Sequence, residues 1–365
     1  MSLALRNTRL TTDYADDLVL FRSRPAQAGA LLLLLGWLLL PHVLGEYWAT
    51  IFVYAGIASI GAIGLNLLTG FAGQVSMGHA VFYGIGAYGA AVFADRWGLP
   101  FPLWLIAAAA VGGLVGGLVG PFALRLRGNY LVIISLGLLV IGQHVFENWT
   151  GVTGGLTGTA VRAKVAIGTL DVSTLSVGGL RFSRNQGYLY FVWGMVALLA
   201  LAAHNIARSR PGRALQAIRD RDLAAEVIGV SQVHYKVGAF VLSSGYAACA
   251  GALYASYARY VSPLDFSLFL SIQFIAMIVV GGIGRIYGSI LGAVFLTLLP
   301  RIIESVSGTL PFVSADGTGR GLTVQSLNQA MFGVLIISFL LFEPLGLAEL
   351  WRRATRYFKS WPFSY

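Results

Sequence analysis

The chain has 365 residues, 57% of them hydrophobic and 11% charged, with a formal net charge of +10 and a mean hydropathy of +0.75. Soluble domains use about 45–50% apolar residues, so a soluble globular protein is excluded and an integral membrane protein is expected. The excess of Lys and Arg fits the cationic bias that insertion leaves on cytoplasmic loops, and it implies no nucleic-acid partner.

In chain order, residues 1–27 read as a polar arm containing Arg6, Arg9, Asp13, Asp16, Asp17, Arg22 and Arg24, with no cleavable signal pattern. Apolar runs then predict ten spans at roughly 28–44, 48–69, 76–94, 101–123, 129–147, 188–207, 237–258, 267–283, 288–304 and 325–343. Gly-rich turns between the second and third spans, and between the eighth and ninth, can be re-entrant. Residues 148–187, rich in Gly, Thr and Ser, are expected to form an external cap of turns and short strands. Residues 208–236 return to charge between two apolar runs, and 346–365 form a polar tail. The expected organisation is an all-α polytopic protein: an arm (1–27), a transmembrane domain (28–345) and a tail (346–365). Five spans on each side of the cap can form two halves, the second inverted.

Ten spans put both termini on one side. With the termini in the cytoplasm, 17 of the 25 Lys and Arg lie on cytoplasmic segments. Four of the remaining eight fall in the long 148–187 segment, where charge weighs less in setting orientation. Cytoplasmic termini are therefore expected, and with them a cytoplasmic 208–236 segment.

The spans lack the groups that ion-coupled transport uses. Every Asp and Glu lies outside a span or at its edge, and His79 is the one histidine placed within a span. Intramembrane ionisable residues mark proton and ion relays, so a stand-alone ion-coupled carrier is disfavoured; the simpler reading of His79 is a helix–helix hydrogen bond. The lone Cys249 cannot form an internal disulfide and reads as a small packing residue. Lys164, Lys236 and Lys359 are the only lysines, and none stands in a GxxxxGK[ST] loop. HExxH, CxxC and GxSxG are also missing. The chain is thus expected to have no catalytic residue, metal site or cofactor of its own, and uphill transport would draw its energy from another subunit.

The place to receive that energy is the 208–236 segment. Arg210, Arg213, Arg219, Asp220, Arg221, Asp222 and Glu226 crowd the seventeen residues 210–226; charge of that density cannot lie in hydrocarbon. Pro211 suits the first turn of a helix, RALQAIR follows with strong helix formers, and Asp220 or Asp222 can cap a second helix that Gly229 ends. Ala224 and Ala225 keep that helix slim, while Leu223, Val227 and Ile228 can fill a groove and Arg213, Arg219 and Arg221 can meet acidic rims, as in helix-in-groove docking. An amphipathic helix on anionic lipid is the alternative.

The segment GRALQAIRDRDLAAEVIGV resembles the coupling loop of ABC importer permeases, through Ala224, Ala225 and Gly229, although Leu223 stands where the general motif has Glu. GLNLLTGFAGQVSMGHAVFYGIGAY (64–88), LRLRGNYLVIISLG (124–137), NWTGVTGGLTG (148–158) and IVVGGIGRIYGSILGA (278–293) resemble, in order, the M-type permease subunits of branched-chain amino acid ABC importers. The resemblance covers about residues 45–345. It implies an ABC importer permease fold in the bacterial inner membrane. The implied partners are a homologous H-type permease subunit, two cytoplasmic ATPases that bind ATP and Mg, and a periplasmic or extracellular solute-binding protein. The implied ATPase-coupling residues are Gly212, Arg213, Arg219, Leu223, Ala224, Ala225, Val227, Ile228 and Gly229. Asn66, Gly73, Gln74, Ser76 and His79 are expected along the solute pathway, where glycines let backbone leave helical geometry. Thr153, Gly154, Gly155 and Thr157 are expected to meet the binding protein. The expected cargo is a branched-chain or similar small amino acid; relatives of the family carry urea, short amides or aromatic acids, and a stand-alone channel is the alternative outside the family.

Overall fold

The computed structural model describes residues 36–124, 130–167, 170–174, 176–177, 180–307, 313–314, 322–343 and 345–360. The polar arm, most of the first expected span, and Arg125 and Arg127 lie outside the described residues.

A helix apolar on every side has no face to turn to water and is suited to the membrane, where close backbone approach decides which helices lie inside the bundle. The first long helix, α1 (Glu46–Asn66), is of this kind: with the π-helical turn Leu67–Phe71 that extends it, 83% of its apolar window is buried. It is followed by α2 (His79–Ala90), α3 (Leu103–Leu124) and α4 (Tyr130–Asn148), then by α5 (Arg184–Arg208), where the same measure falls to 22%. α5 therefore lies at the periphery, with its apolar surface turned outward. Its start is fixed by a capping box, in which the Ser183 side chain accepts from Gln186 N and the Gln186 side chain accepts from Ser183 N.

Two short helices, α6 (Arg210–Asp220) and α7 (Asp222–Val227), separate α5 from α8 (Gln232–Ala258). α8 packs along α1, α2 and α3 and so forms the second half of the core. Then come α9 (Leu268–Gly281) and α10 (Ile286–Ser307), both against α1, and α11 (Val324–Phe342) and α12 (Leu347–Ser360).

Helices in lipid are held by close backbone approach rather than by the hydrophobic effect. At the α2–α8 crossing, a Cβ on Gly86 would strike the Ala248 carbonyl, and one on Gly251 would strike the Tyr83 carbonyl. Backbone cannot step aside as a flexible side chain can. Gly251→Ala is accordingly expected to cost about 1–3 kcal/mol through overpacking, read as a lower thermal unfolding temperature of the purified protein; unchanged unfolding would refute the close crossing.

The described residues hold six helices long and apolar enough to cross a membrane, or seven if α11 and α12 form one bent span. The expected count of ten is not confirmed among the described residues, and three of the runs differ from expectation. The 76–94 run becomes helical only at His79 and ends in a π-helical turn (Ala91–Arg96) that takes in Asp95 and Arg96. The 267–283 run forms a helix of only 14 residues, stopped at Gly282. The 28–44 run is described only in its last part, as a helical stretch at residues 36–43.

The 148–187 segment contains a one-turn helix (Thr150–Thr153), 3-10 turns at Gly155–Thr157 and Val172–Thr174, and two-residue strands. Thr159–Ala160 pairs antiparallel with Tyr260–Val261, which ties the segment to the end of α8. A concavity of ≈ 390 Å³ is lined there by Arg162, Lys164, Asp171, Tyr188, Ser256 and Arg259 among others.

Candidate functional site

α6 begins as its sequence requires, with Ser209 in extended conformation and Pro211 in the first turn. Gly212, Leu215 and Ile218 recur every third residue and are its buried positions. Gly212 sits where α6 turns off α5, so close to the Ile206 and Ala207 carbonyls that a Cβ would strike both. Arg213 donates to the Arg208 carbonyl at 2.7 Å, a bond to the carboxyl end of α5. Gly212 and Arg213 thus set the corner itself.

α7 differs from expectation at its start and on one face. Its N-cap is Arg221, without a side-chain cap bond, and Asp222 is the first helical residue, accepting from Leu223 N at 2.8 Å. Ala225 is 2% exposed, packed against its own chain, whereas Ala224 faces outward. Leu223, Val227 and Ile228 are 60%, 88% and 75% exposed. With 100° between successive residues, Leu223, Ala224, Val227 and Ile228 share one side and Ala225 the other. The helix ends at Gly229, whose φ of +88° only glycine adopts without strain. Gln232 Nε2 then donates to the Asp222 carbonyl at 2.9 Å and to Glu226 Oε2 at 3.1 Å, bracing α7 against α8.

The platform is joined to the core by Arg219. Its Nη1 donates to the Gly70 carbonyl at 2.8 Å, while Nε and Nη2 face Asp220 Oδ1 at 3.0 Å. Gly70 belongs to the π-helical turn that closes α1. Gly73, at φ +70°, would carry a Cβ 2.9 Å from Arg219 Cγ, and a Cβ on Gly284 would stand 3.2 Å from Arg219 Nη1. The guanidinium therefore sits between the end of α1 and the turn joining α9 to α10.

Those two pieces are clasped by Asn66. Its Oδ1 accepts from Gly284 N at 2.8 Å, and its Nδ2 donates to the Arg285 carbonyl at 2.9 Å and to Ser289 Oγ at 2.7 Å. Both ends of the amide are engaged, with no exposed surface. Arg285 in turn reaches Glu349 of α12 at 2.7 Å, and Glu349 also meets Arg352 at 2.7 Å. The Arg352 and Arg285 guanidiniums hold the Glu349 carboxyl down to about 2 from its usual 4.5. The series Arg219, Gly70, Asn66, Gly284–Arg285 and Glu349 links α6 to α12 through the end of the most buried helix. Sequence reading missed Gly70, Gly284 and Glu349 in this role; the GGIGR run marked a turn but not its partner.

The other expected pathway residues surround the break between α1 and α2 without converging on one point. His79 makes a hydrogen bond at 3.0 Å between Nε2 and the Gly61 carbonyl and stacks edgewise on Phe274, which is the helix–helix contact expected of it. Ser76 Oγ accepts from Gly78 N at 3.3 Å. Gln74 is 7% exposed, and its Oε1 has no hydrogen-bond partner among the described residues. On the far side, Thr153 is buried, donating to the Phe146 and Trp149 carbonyls and accepting from Gly155 N. Gly154 and Gly155 hold positive φ, and Thr157 is exposed, with its hydroxyl on the Gly154 carbonyl.

The family model described as branched-chain amino acid transport system / permease component matches residues 47–340. The LivM high-affinity branched-chain amino acid transport system permease protein of Salmonella typhimurium is 31% identical over 303 residues, 80% of this chain and 67% of the relative. LivH of Escherichia coli is 27% identical, over 68% of this chain and 82% of its own length. The autoinducer 2 import system permease protein LsrC of Enterobacter sp. is 28% identical, over 56% of this chain and 57% of its own. No solved structure gives a significant match.

Proposed function

Since the chain belongs to the branched-chain amino acid transport permease family, we propose that it is the transmembrane permease subunit of an ABC importer in the bacterial inner membrane. It carries branched-chain or similar small amino acids into the cytoplasm by alternating access. An H-type permease, two ATPases that bind ATP and Mg, and a solute-binding protein complete the assembly. Both termini lie in the cytoplasm, and α6–α7 is the platform on which an ATPase docks.

The observation that carries this reading is the exposed row Leu223, Val227 and Ile228. It stands on a helix that is fixed by Gln232 on one side and, through α6 and Arg219, to the buried end of α1. An apolar row of this kind suits a groove on a partner. Its rigid footing lets movement of the partner act on the core. The solute path runs beside the α1–α2 break, near Asn66, Gly73, Gln74, Ser76 and His79, and the Gln74 Oε1 there has no partner among the described residues. The binding protein meets the Thr153–Thr157 turn, at Gly154, Gly155 and the exposed Thr157.

A charge at Ala225 would disturb the packing of α7 on its own chain, so docking is better tested on the outward side. Val227→Asp with Ile228→Asp is expected to abolish co-purification of the ATPase and ATP-dependent uptake, while the unfolding temperature of the isolated subunit stays near that of the parent. Uptake at the parent rate in the assembled complex would sink the assignment.

A further inference from the structure

α12 leaves the core where α11 emerges from its apolar run. The last residues of α11, Leu341 and Phe342, are 71% and 82% exposed, and the two helix axes meet at 48°. A helix that begins a few residues after a span, at such an angle, starts at the boundary between hydrocarbon and water. One side of α12 is fixed to the protein. Ala348 and Glu349 are buried, Glu349 is paired with Arg285 of the α9–α10 turn, and a Cβ on Gly346 would lie 2.5 Å from Gly282 N. These contacts set the rotation of the helix about its axis.

The opposite side is apolar and uncovered by the described chain. Leu350 and Trp351 are 43% and 64% exposed, and Leu345 before them 51%. In sequence the pattern is sustained: Leu347, Leu350, Trp351, Ala354 and Phe358 recur at helical spacing, while Arg352, Arg353, Arg356 and Lys359 fall between them. Four cations stand against the single Glu349 in the sequence of α12; Arg352 is paired with Glu349 at 2.7 Å and Arg353 with Glu343 at 3.0 Å, which still leaves the helix net positive. An apolar stripe continuous with the outer surface of a spanning helix, flanked by cations, matches a helix lying in a headgroup layer of negative charge.

We propose that α12 is an interfacial helix that binds anionic phospholipid, with Leu350 and Trp351 in the acyl–headgroup boundary and the net positive charge of the helix drawing the phosphates. Through Glu349 and Arg285 the lipid-bound helix then bears on the same turn that Arg219 of α6 faces. Anionic lipid thus gains a handle on the turn beside the platform.

The test uses the full chain in lipid nanodiscs, in a Cys249→Ala background, with nitroxide labels introduced by Leu350→Cys, Ala354→Cys or Lys359→Cys. In discs containing phosphatidylglycerol, labels at 350 and 354 are expected to relax with dissolved oxygen and to be shielded from a water-soluble nickel chelate. The label at 359 should behave in the opposite way. Replacing phosphatidylglycerol by phosphatidylcholine should release the shielding, and Arg356→Gln should weaken its dependence on phosphatidylglycerol about fivefold. Equal access of the chelate to positions 350 and 359 in anionic discs would overturn the proposal. So would identical shielding in both lipids, or shielding that arises only when ATPase subunits are added, which would assign the stripe to a protein partner.

Discussion

Replacing Asn66 by leucine is expected to destabilise the protein by about 2–3 kcal/mol, read as a fall in unfolding temperature of several degrees in detergent or nanodisc. Leucine keeps the branched outline of asparagine but is larger, so some overpacking adds to the loss of hydrogen bonds. Gly284 N and Ser289 Oγ lose the Asn66 amide as partner, and the Arg285 carbonyl loses one of two bonds, since it still accepts from Ser289 N at 3.2 Å. Orphaning a buried polar group costs about 1–3 kcal/mol. Hydrogen bonds between membrane helices are weaker on average, about 0.6 kcal/mol, because the unfolded chain in lipid finds other partners. The lower end of the aqueous range is therefore the right scale for Gly284 N and Ser289 Oγ, with a smaller amount for the bond lost at the Arg285 carbonyl. Asn66→Asp keeps the acceptor for Gly284 N but sets a carboxylate against the Arg285 carbonyl, and should be no milder. An unfolding temperature unchanged in Asn66→Leu would show that α1 and the α9–α10 turn are held by packing alone.

The clasp also shows where sequence reading stops. Pro211 at the start of α6 and Gly229 at the end of α7 were legible, because turn chemistry depends on a residue and its immediate neighbours. The membrane class and the charged platform followed from composition alone. Asn66 was picked out as a polar residue among glycines, but its partners lie 218 to 223 residues away, and no local pattern points across that distance. α7 is only 6 residues long, too short for periodicity to tell its two sides apart, so Ala224 and Ala225 read as a pair although one faces out and the other in. The span count of ten is not confirmed for a different reason. An apolar run reports that a segment can enter hydrocarbon, not that one helix crosses it throughout, as the stop at Gly282 after 14 residues shows.

On the proposed importer function, Arg219→Ala is expected to lower ATP-dependent uptake about tenfold in the assembled complex while ATP hydrolysis continues. A hydrogen bond from a charged donor contributes about 1.5–3 kcal/mol, and about 1.4 kcal/mol corresponds to one factor of ten in rate. The lower figure applies here, since the Arg219 side chain is 38% exposed and shares its guanidinium with Asp220. What matters is where the bond ends. Gly70 closes α1, and Asn66 one turn earlier holds the α9–α10 turn, so a displacement of α6 reaches two core helices through one carbonyl. Without the guanidinium, α6 keeps its buried contacts at Leu215 and Ile218 and can still dock an ATPase, but its movement is no longer tied to α1. Arg219→Lys has one ammonium where the fork served both Gly70 and Asp220, so it should recover part of the uptake. A merely structural role would lower uptake and hydrolysis together and shift the unfolding temperature. Uptake at the parent rate in Arg219→Ala would place the transmission elsewhere in the platform.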